Sequence, residues 1–178
     1  MTDLTLDQAI ATGMLCAYHA TRQPDVPAVD TAHGNRTFAE LNANANRLVR
    51  LLRERGLSAG DSVAIVSKNR PEFIETLMAA ARSGIRFTPI NFHLKGDEIG
   101  YIVDNCEAKA YIADASLGGP AVDALALAPR LAVKLACGGK LTGFEDYAET
   151  IAAQDPSDID DPVLGGRMLY TSGTTGKP

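Results

Sequence analysis

Arg167-Met-Leu-Tyr170 followed by Thr171-Ser-Gly-Thr-Thr-Gly-Lys-Pro178 decides how the rest of this chain is read. A short apolar run, predicted to be a strand, leads into a loop that alternates hydroxyl residues with Gly173 and Gly176 and then offers Lys177. Glycine lets backbone N–H groups come close to a ligand and adopt the φ values of an anion-binding nest. Hydroxyls, N–H groups and an ammonium converging in this way suit a polyphosphate, each charge-assisted hydrogen bond contributing about 1.5–3 kcal/mol. The loop is not of the Gly-x-x-x-x-Gly-Lys-[Ser/Thr] type. Counting back from Gly176 puts Thr171 where that pattern needs its first glycine, and Pro178 where it needs a metal-binding hydroxyl. Pro178 also disfavours the α conformation at Lys177, so no helix is expected to start there.

Upstream of the loop the chain alternates strand and helix patterns. Ser62-Val-Ala-Ile-Val-Ser67 is a continuous apolar run, expected for a parallel strand buried on both faces. Asn69 is the candidate cap of a following helix with Pro71 in its first turn and Phe73, Ile74, Leu77, Met78 and Ala81 inward. Gly84 closes that helix, and Ile85 to Ile90 reads as a strand. Ile99, Ile102, Val103 and Cys106 mark a helix, Ala110 to Ala113 a strand, Pro120 to Leu127 a weaker helix and Leu131 to Ala136 a strand. An acidic connector then leads to the strand Arg167–Tyr170.

Nearer the N-terminus, Leu4 to Thr21 is predicted to be a helix with a loop after it, carrying Leu6, Ile10, Met14 and Leu15 on one face. Ala28 to Asp30 and Arg36-Thr37 form the arms of a hairpin turning at His33-Gly-Asn35. Thr37-Phe-Ala-Glu40 has capping-box spacing, and Phe38, Leu41, Ala45, Leu48 and Leu52 continue at helical spacing up to Gly56. Repeated strand–helix–strand units predict an α/β fold: a mostly parallel sheet with helices on both faces, binding ligand at the carboxyl ends of its strands.

Composition narrows the function. The 178 residues favour a single domain, and 46% hydrophobic with 22% charged residues supports a packed core. A net charge of −5 argues against a nucleic-acid surface. Cys16, Cys106 and Cys137 are too scattered for a disulfide framework or a zinc site and read as free thiols. No apolar run reaches the roughly 20 residues of a membrane span, and Asp3 and Asp7 do not suit a signal peptide, so a soluble cytoplasmic protein is expected. The four aspartates between Asp155 and Asp161 offer no coordinating spacing and read as a solvated connector. His93 is read as a surface or locally hydrogen-bonded residue, with a substrate or coenzyme contact as the other option. No catalytic triad or metal-ligand set can be assigned.

The loop Tyr170–Pro178 closely resembles the phosphate loop of the acyl-adenylating (AMP-forming) superfamily, which includes acyl-CoA synthetases, peptide-synthetase adenylation domains and luciferases. Arg36-Thr-Phe-Ala-Glu-Leu41 resembles the motif that opens the first long helix of these enzymes. Asp61 to Phe73 resembles their first core strand and its turn, and Thr88 to Leu94, Glu98 to Asp104 and Ala108 to Asp114 resemble the segments next in order. The likeness runs from about Pro24 to the end. Thr174, where peptide synthetases usually carry Ser, and Pro89-Ile-Asn91, where they tend to carry Asp for Asn, make acyl-CoA synthetases the closer resemblance. Lys95 departs from the usual helix-capping Ser or Thr, and Gly165-Gly-Arg167 replaces an apolar strand start.

The resemblance implies that residues 1–178 form the N-terminal subdomain of an adenylation domain. It implies ATP, Mg²⁺ and CoA as cofactors and a carboxylic acid as substrate: fatty, aromatic or sterol-like. Thr171, Ser172, Thr174 and Thr175 would donate hydroxyls to the β- and γ-phosphates, Gly173 and Gly176 would admit the backbone, and Lys177 would supply a mobile cation. Ser172 is the hydroxyl that could touch the metal, but no metal ligand is assigned. The adenine, ribose and metal ligands and a catalytic lysine lie further along in relatives, so residues 1–178 alone are expected to be inactive and to need the remainder of the protein beyond Pro178. Transfer to a carrier protein, a non-catalytic nucleotide-binding role and homo-oligomerisation stay open.

Overall fold

The computed structural model describes residues 4–171. Its centre is β3 (Ser62–Val66), in which all five residues are buried. The chain moves from β3 through α4 (Pro71–Ser83) to β4 (Arg86–Ile90) on one side, then through α5 (Gly96–Asn105) back across β3 to β5 (Ala108–Asp114) on the other. Short helical turns, including α6 (Gly119–Asp123), lead to β6 (Val133–Cys137), and the two-residue β7 (Glu145–Asp146) completes a sheet of order β4-β3-β5-β6-β7. Every pairing in it is parallel. The sheet therefore has the expected architecture.

Because the chain turns back across the sheet after β4, α4 and α5 fall on opposite faces. Alternation along the strands then builds two cores. Val63, Ile65, Ala110, Ile112, Val133 and Leu135 join the face covered by α3 (Phe38–Glu54), α4 and α7 (Tyr147–Ala152). Ala64, Val66, Tyr111 and Ala113 join the face covered by α5 and α6. Both faces are apolar, as a doubly covered parallel sheet requires.

Local chemistry fixes the helix starts. Glu40 N–H donates to Thr37 Oγ1 at 3.2 Å while Thr37 N–H donates to Glu40 Oε2 at 2.9 Å, the reciprocal cap predicted for α3. The hairpin is also present, β1 (Pro27–Thr31) pairing antiparallel with β2 (Gly34–Thr37).

Several expectations need correction. The single N-terminal helix is two, α1 (Leu6–Thr12) and α2 (Leu15–Arg22), broken at Gly13 with φ +72°. A Cβ at Gly13 would lie 2.0 Å from the Ala81 carbonyl oxygen, so the break is a close approach to α4 that local periodicity does not carry. The residue before α4 is Arg70 rather than Asn69, because Pro71 holds its predecessor extended (φ −113°, ψ 155°). On α4 the buried side chains include Glu75, Thr76, Arg82 and Ser83; Phe73, Leu77 and Met78 pack against the core as expected but are half-buried, as are Ile74 and Ala81. Within that polar stripe Glu75 Oε1 accepts from Asn44 and Arg82 Nη1 donates to Asn42 and Asn46, all on α3, whereas the Thr76 and Ser83 hydroxyls donate to carbonyls of α4 itself. The acidic connector contains β7 and α7, where Asp146 caps the helix by accepting from Glu149 N–H at 2.9 Å. Arg167–Tyr170 is not a full strand: the segment makes isolated parallel bridges, Ser83 with Val163 and Phe87 with Arg167.

Candidate nucleotide-phosphate site

Although bridged only at intervals, the segment that leads to the loop is firmly held. Val163 N–H donates to Arg82 O at 3.0 Å and Gly165 N–H to Ala81 O at 2.8 Å. Phe87 N–H then donates to Gly166 O, and Met168 N–H to Phe87 O, both at 3.0 Å. The segment thus lies beside β4 and runs in the same direction. Tyr170 packs against the α5-side core and donates its hydroxyl to Asn105 Oδ1 at 2.6 Å. Partial burial pushes its phenol up to about 12. Thr171 comes next as the last described residue, exposed. Ser172, Gly173, Thr174, Thr175, Gly176 and Lys177 lie outside the described residues.

The connector before this segment is no loosely solvated tether. Arg50 Nη1 donates to Asp155 O at 3.0 Å and to Ser157 O at 2.6 Å. Arg53 pairs with Asp161 at 2.8 Å. Asn42 and Asn46 donate to Asp158 Oδ1 at 2.8 and 2.9 Å while accepting from the buried Arg82 at 2.7 and 2.5 Å. Two amides therefore relay the Asp158 charge to Arg82, and α3 and α4 grip the connector together. The aspartates serve attachment. Among the described residues no group of three or more His, Cys, Asp or Glu side chains is gathered for a metal.

At the carboxyl ends of the central strands, a charged cluster was not singled out by sequence reasoning. Arg70, 13% exposed, has its Nε 3.4 Å from Glu72 Oε2 and its Nη1 4.0 Å from Asp114 Oδ2. Asp114, at the end of β5, also accepts from Ser116 N–H at 2.9 Å. Gly138, φ +74°, lies flat on the guanidinium: a Cβ there would be 2.4 Å from Arg70 Cζ. Burial beside Glu72 and Asp114 pushes the Cys137 thiol up to about 12. The available signal was positional, since Asp114 directly follows the apolar run of β5 and Arg70 comes four residues after Val66 at the end of β3.

Two grooves flank this edge. One, of about 430 Å³, runs from Ala28–Thr31 to Arg70, Phe73 and Ile74; the other, of about 390 Å³, joins Asp30, His33, Lys68, Asn69 and Phe92. His93 is exposed, its N–H donating to Asn91 Oδ1 at 3.0 Å and its ring 4.2 Å from that of Phe92. It lies at the surface, and that hydrogen bond is made by its backbone.

The profile of the family described as AMP-binding enzyme matches residues 16–178. This chain belongs to that family. Among curated relatives, this AMP-binding enzyme chain is 29% identical over 163 residues to the fatty acid–[acyl-carrier-protein] ligase ScoC of Streptomyces coeruleorubidus, covering 91% of this chain and 30% of the relative. It is 33% identical over 159 residues to a feruloyl-CoA synthase of Amycolatopsis sp, covering 89% and 30%. The crystal structure of the anthranilate CoA ligase AuaEII in complex with anthranoyl-AMP superimposes with a TM-score of 0.84 at 20% identity, over 94% of this chain and 33% of that one. That last likeness shows the fold. The chain spans about a third of the length of these three proteins. No helix among the described residues is long and apolar enough to cross a membrane.

Proposed function

We propose that this chain is the N-terminal part of the adenylation domain of an AMP-forming acyl-CoA synthetase. The observation that carries the reading is the family match, which runs without a break from residue 16 through the hydroxyl–glycine loop to residue 178. The carboxylate of the substrate acid attacks the α-phosphorus of ATP. The bond to the β-phosphate oxygen breaks, pyrophosphate leaves, and an acyl-adenylate forms. A CoA thiolate then attacks the acyl carbon and AMP departs with the phosphate oxygen. Charge builds on the phosphoryl oxygens in the first step, and preplaced donors answer it without reorganising. Thr171, Ser172, Thr174 and Thr175 donate hydroxyls, Gly173 and Gly176 admit backbone N–H groups, and Lys177 supplies the cation. The Mg²⁺ that accompanies ATP neutralises part of the same charge, and no residue here is assigned to it.

A second acceptor is favoured by one relative: ScoC is by its name a ligase that joins fatty acid to acyl carrier protein. The first half-reaction is common to both readings. Pyrophosphate exchange into ATP by the whole protein, screened over fatty, aromatic and sterol-like acids, tests it. Exchange with at least one acid is expected, and Lys177→Ala should raise the KM for ATP. Thioester formation on CoA rather than on a phosphopantetheinyl carrier protein then decides the acceptor. Residues 1–178 alone should release no pyrophosphate. Nucleotide binding without exchange on any acid would replace the ligase reading with a non-catalytic one.

A further inference from the structure

Gly165 occupies the tightest passage on the way to the loop. A Cβ on it would stand 2.1 Å from the Ala80 carbonyl oxygen and 2.5 Å from that of Ile85, distances that no side-chain carbon tolerates. Both carbonyls belong to rigid backbone, the last turns of α4 and the residue before β4. The same residue is hydrogen-bonded on its N–H side to Ala81 O at 2.8 Å, while the carbonyl of Gly166 accepts from Phe87 N–H at 3.0 Å. The chain is thus pinched between a helix end and a strand start. It is also stitched to both by backbone hydrogen bonds, six positions before Thr171. Gly166 shows the contrast. A Cβ there would meet only Arg86 Cγ, at 3.7 Å, an ordinary contact.

We propose that Gly165 is a positioning residue for the nucleotide: the pinch sets the register of residues 166–171 against β4, and so where the hydroxyl–glycine loop stands relative to ATP. It touches no substrate. The proposal rests on the ligase reading for its kinetic consequence, although not for the clamp itself. A backbone that must move by about 1 Å at Gly165 passes that shift to every residue downstream, and a misplacement of that size can cost about a hundredfold in rate. A slip by a whole residue would turn the alternate side chains of the segment to the other face.

Adjacent alanine substitutions in the whole protein provide the test. Gly165→Ala should raise the KM for ATP in pyrophosphate exchange about tenfold or more, with the KM for the acid changed less than about twofold; Gly166→Ala should leave both within about twofold. Amide hydrogen exchange should quicken across residues 163–171 in Gly165→Ala while β5 and β6 keep their protection, which shows that the variant folds. Insertion of one glycine after Gly166, which leaves the pinch intact and displaces only the residues on its C-terminal side, should reproduce the ATP effect. Equal behaviour of the two alanine variants, or parallel shifts in the KM of ATP and acid, overturns the proposal. If the wild type catalyses no exchange with any acid, the ligase reading fails, and the hydrogen-exchange comparison still decides whether Gly165 is the clamp.

Discussion

Glu75, wholly enclosed on α4, holds Arg36 of β2 at 2.7 Å through its Oε1, and the same oxygen accepts from Asn44 Nδ2 of α3 at 2.9 Å. β2, α3 and α4 meet at this one carboxylate atom, with Glu75 lying 39 residues from Arg36 and 31 from Asn44. A buried charge is tolerable when it is paired and hydrogen-bonded, and removing one partner leaves the other uncompensated.

Arg36→Ala is therefore expected to cost about 3 kcal/mol, at the low end for a broken buried pair because Arg36 is itself 28% exposed. Glu75→Gln keeps an acceptor and sheds the charge, and should cost less in the Arg36→Ala background than in wild type. Urea midpoints of the two single variants and the double variant check this. Strict additivity would show that the pair is uncoupled.

The thiols give an alkaline limit. Burial pushes Cys16 from 9.0 up to about 11 and Cys137 up to about 12, and raises Cys106 as well. The unfolded chain loses these protons at lower pH than the folded one. Their contribution is therefore complete below pH 9.0 and declines as pH climbs towards 11 and 12. The buried Tyr147 phenol, raised well above 10.0, acts in the same direction. Melting temperature should fall steadily from about pH 9 to about pH 11, with a shallower slope in Cys137→Ala. A thiol reagent at neutral pH should modify the native protein only at its unfolding rate; prompt labelling of any of the three cysteines would contradict their burial.

Gly13 and Gly56 both have positive φ, +72° and +86°, but a Cβ on Gly56 meets nothing within 4 Å whereas one on Gly13 collides with Ala81 O. Gly56→Ala should cost about 1–2 kcal/mol, the conformational penalty alone. Gly13→Ala should cost clearly more and should release α1 from α4. Thermal melts of the pair, with limited proteolysis at residues 5–15, separate the two effects. Similar losses in both variants would mean that the close approach to α4 is unimportant.

Much of the architecture was legible locally. The apolar runs of β3, β5 and β6, the Thr37–Glu40 cap and Pro71 in the first turn of α4 express backbone and solvation preferences that act over a few residues. The misses share a physical cause. Glu75 and Arg82 sit inside where Arg36 and the asparagines of α3 meet Glu75 Oε1 and Arg82 Nη1, and Gly13 breaks a helix because Ala81 comes close. The connector is ordered because Arg50, Arg53 and Asn46 take hold of it. None of these partners is near in sequence.

For the candidate site the division is similar. The strand–helix alternation determined the parallel sheet, because hydrophobic period is a property of the chain itself, and the order of residues in the loop carried the resemblance to the family. Tertiary structure alone decided that Arg70, Asp114 and Cys137 cluster at the carboxyl edge. It alone decided that the segment bearing Thr171 is threaded between two carbonyls at Gly165, because close packing is settled only where separate parts of the chain compete for the same space.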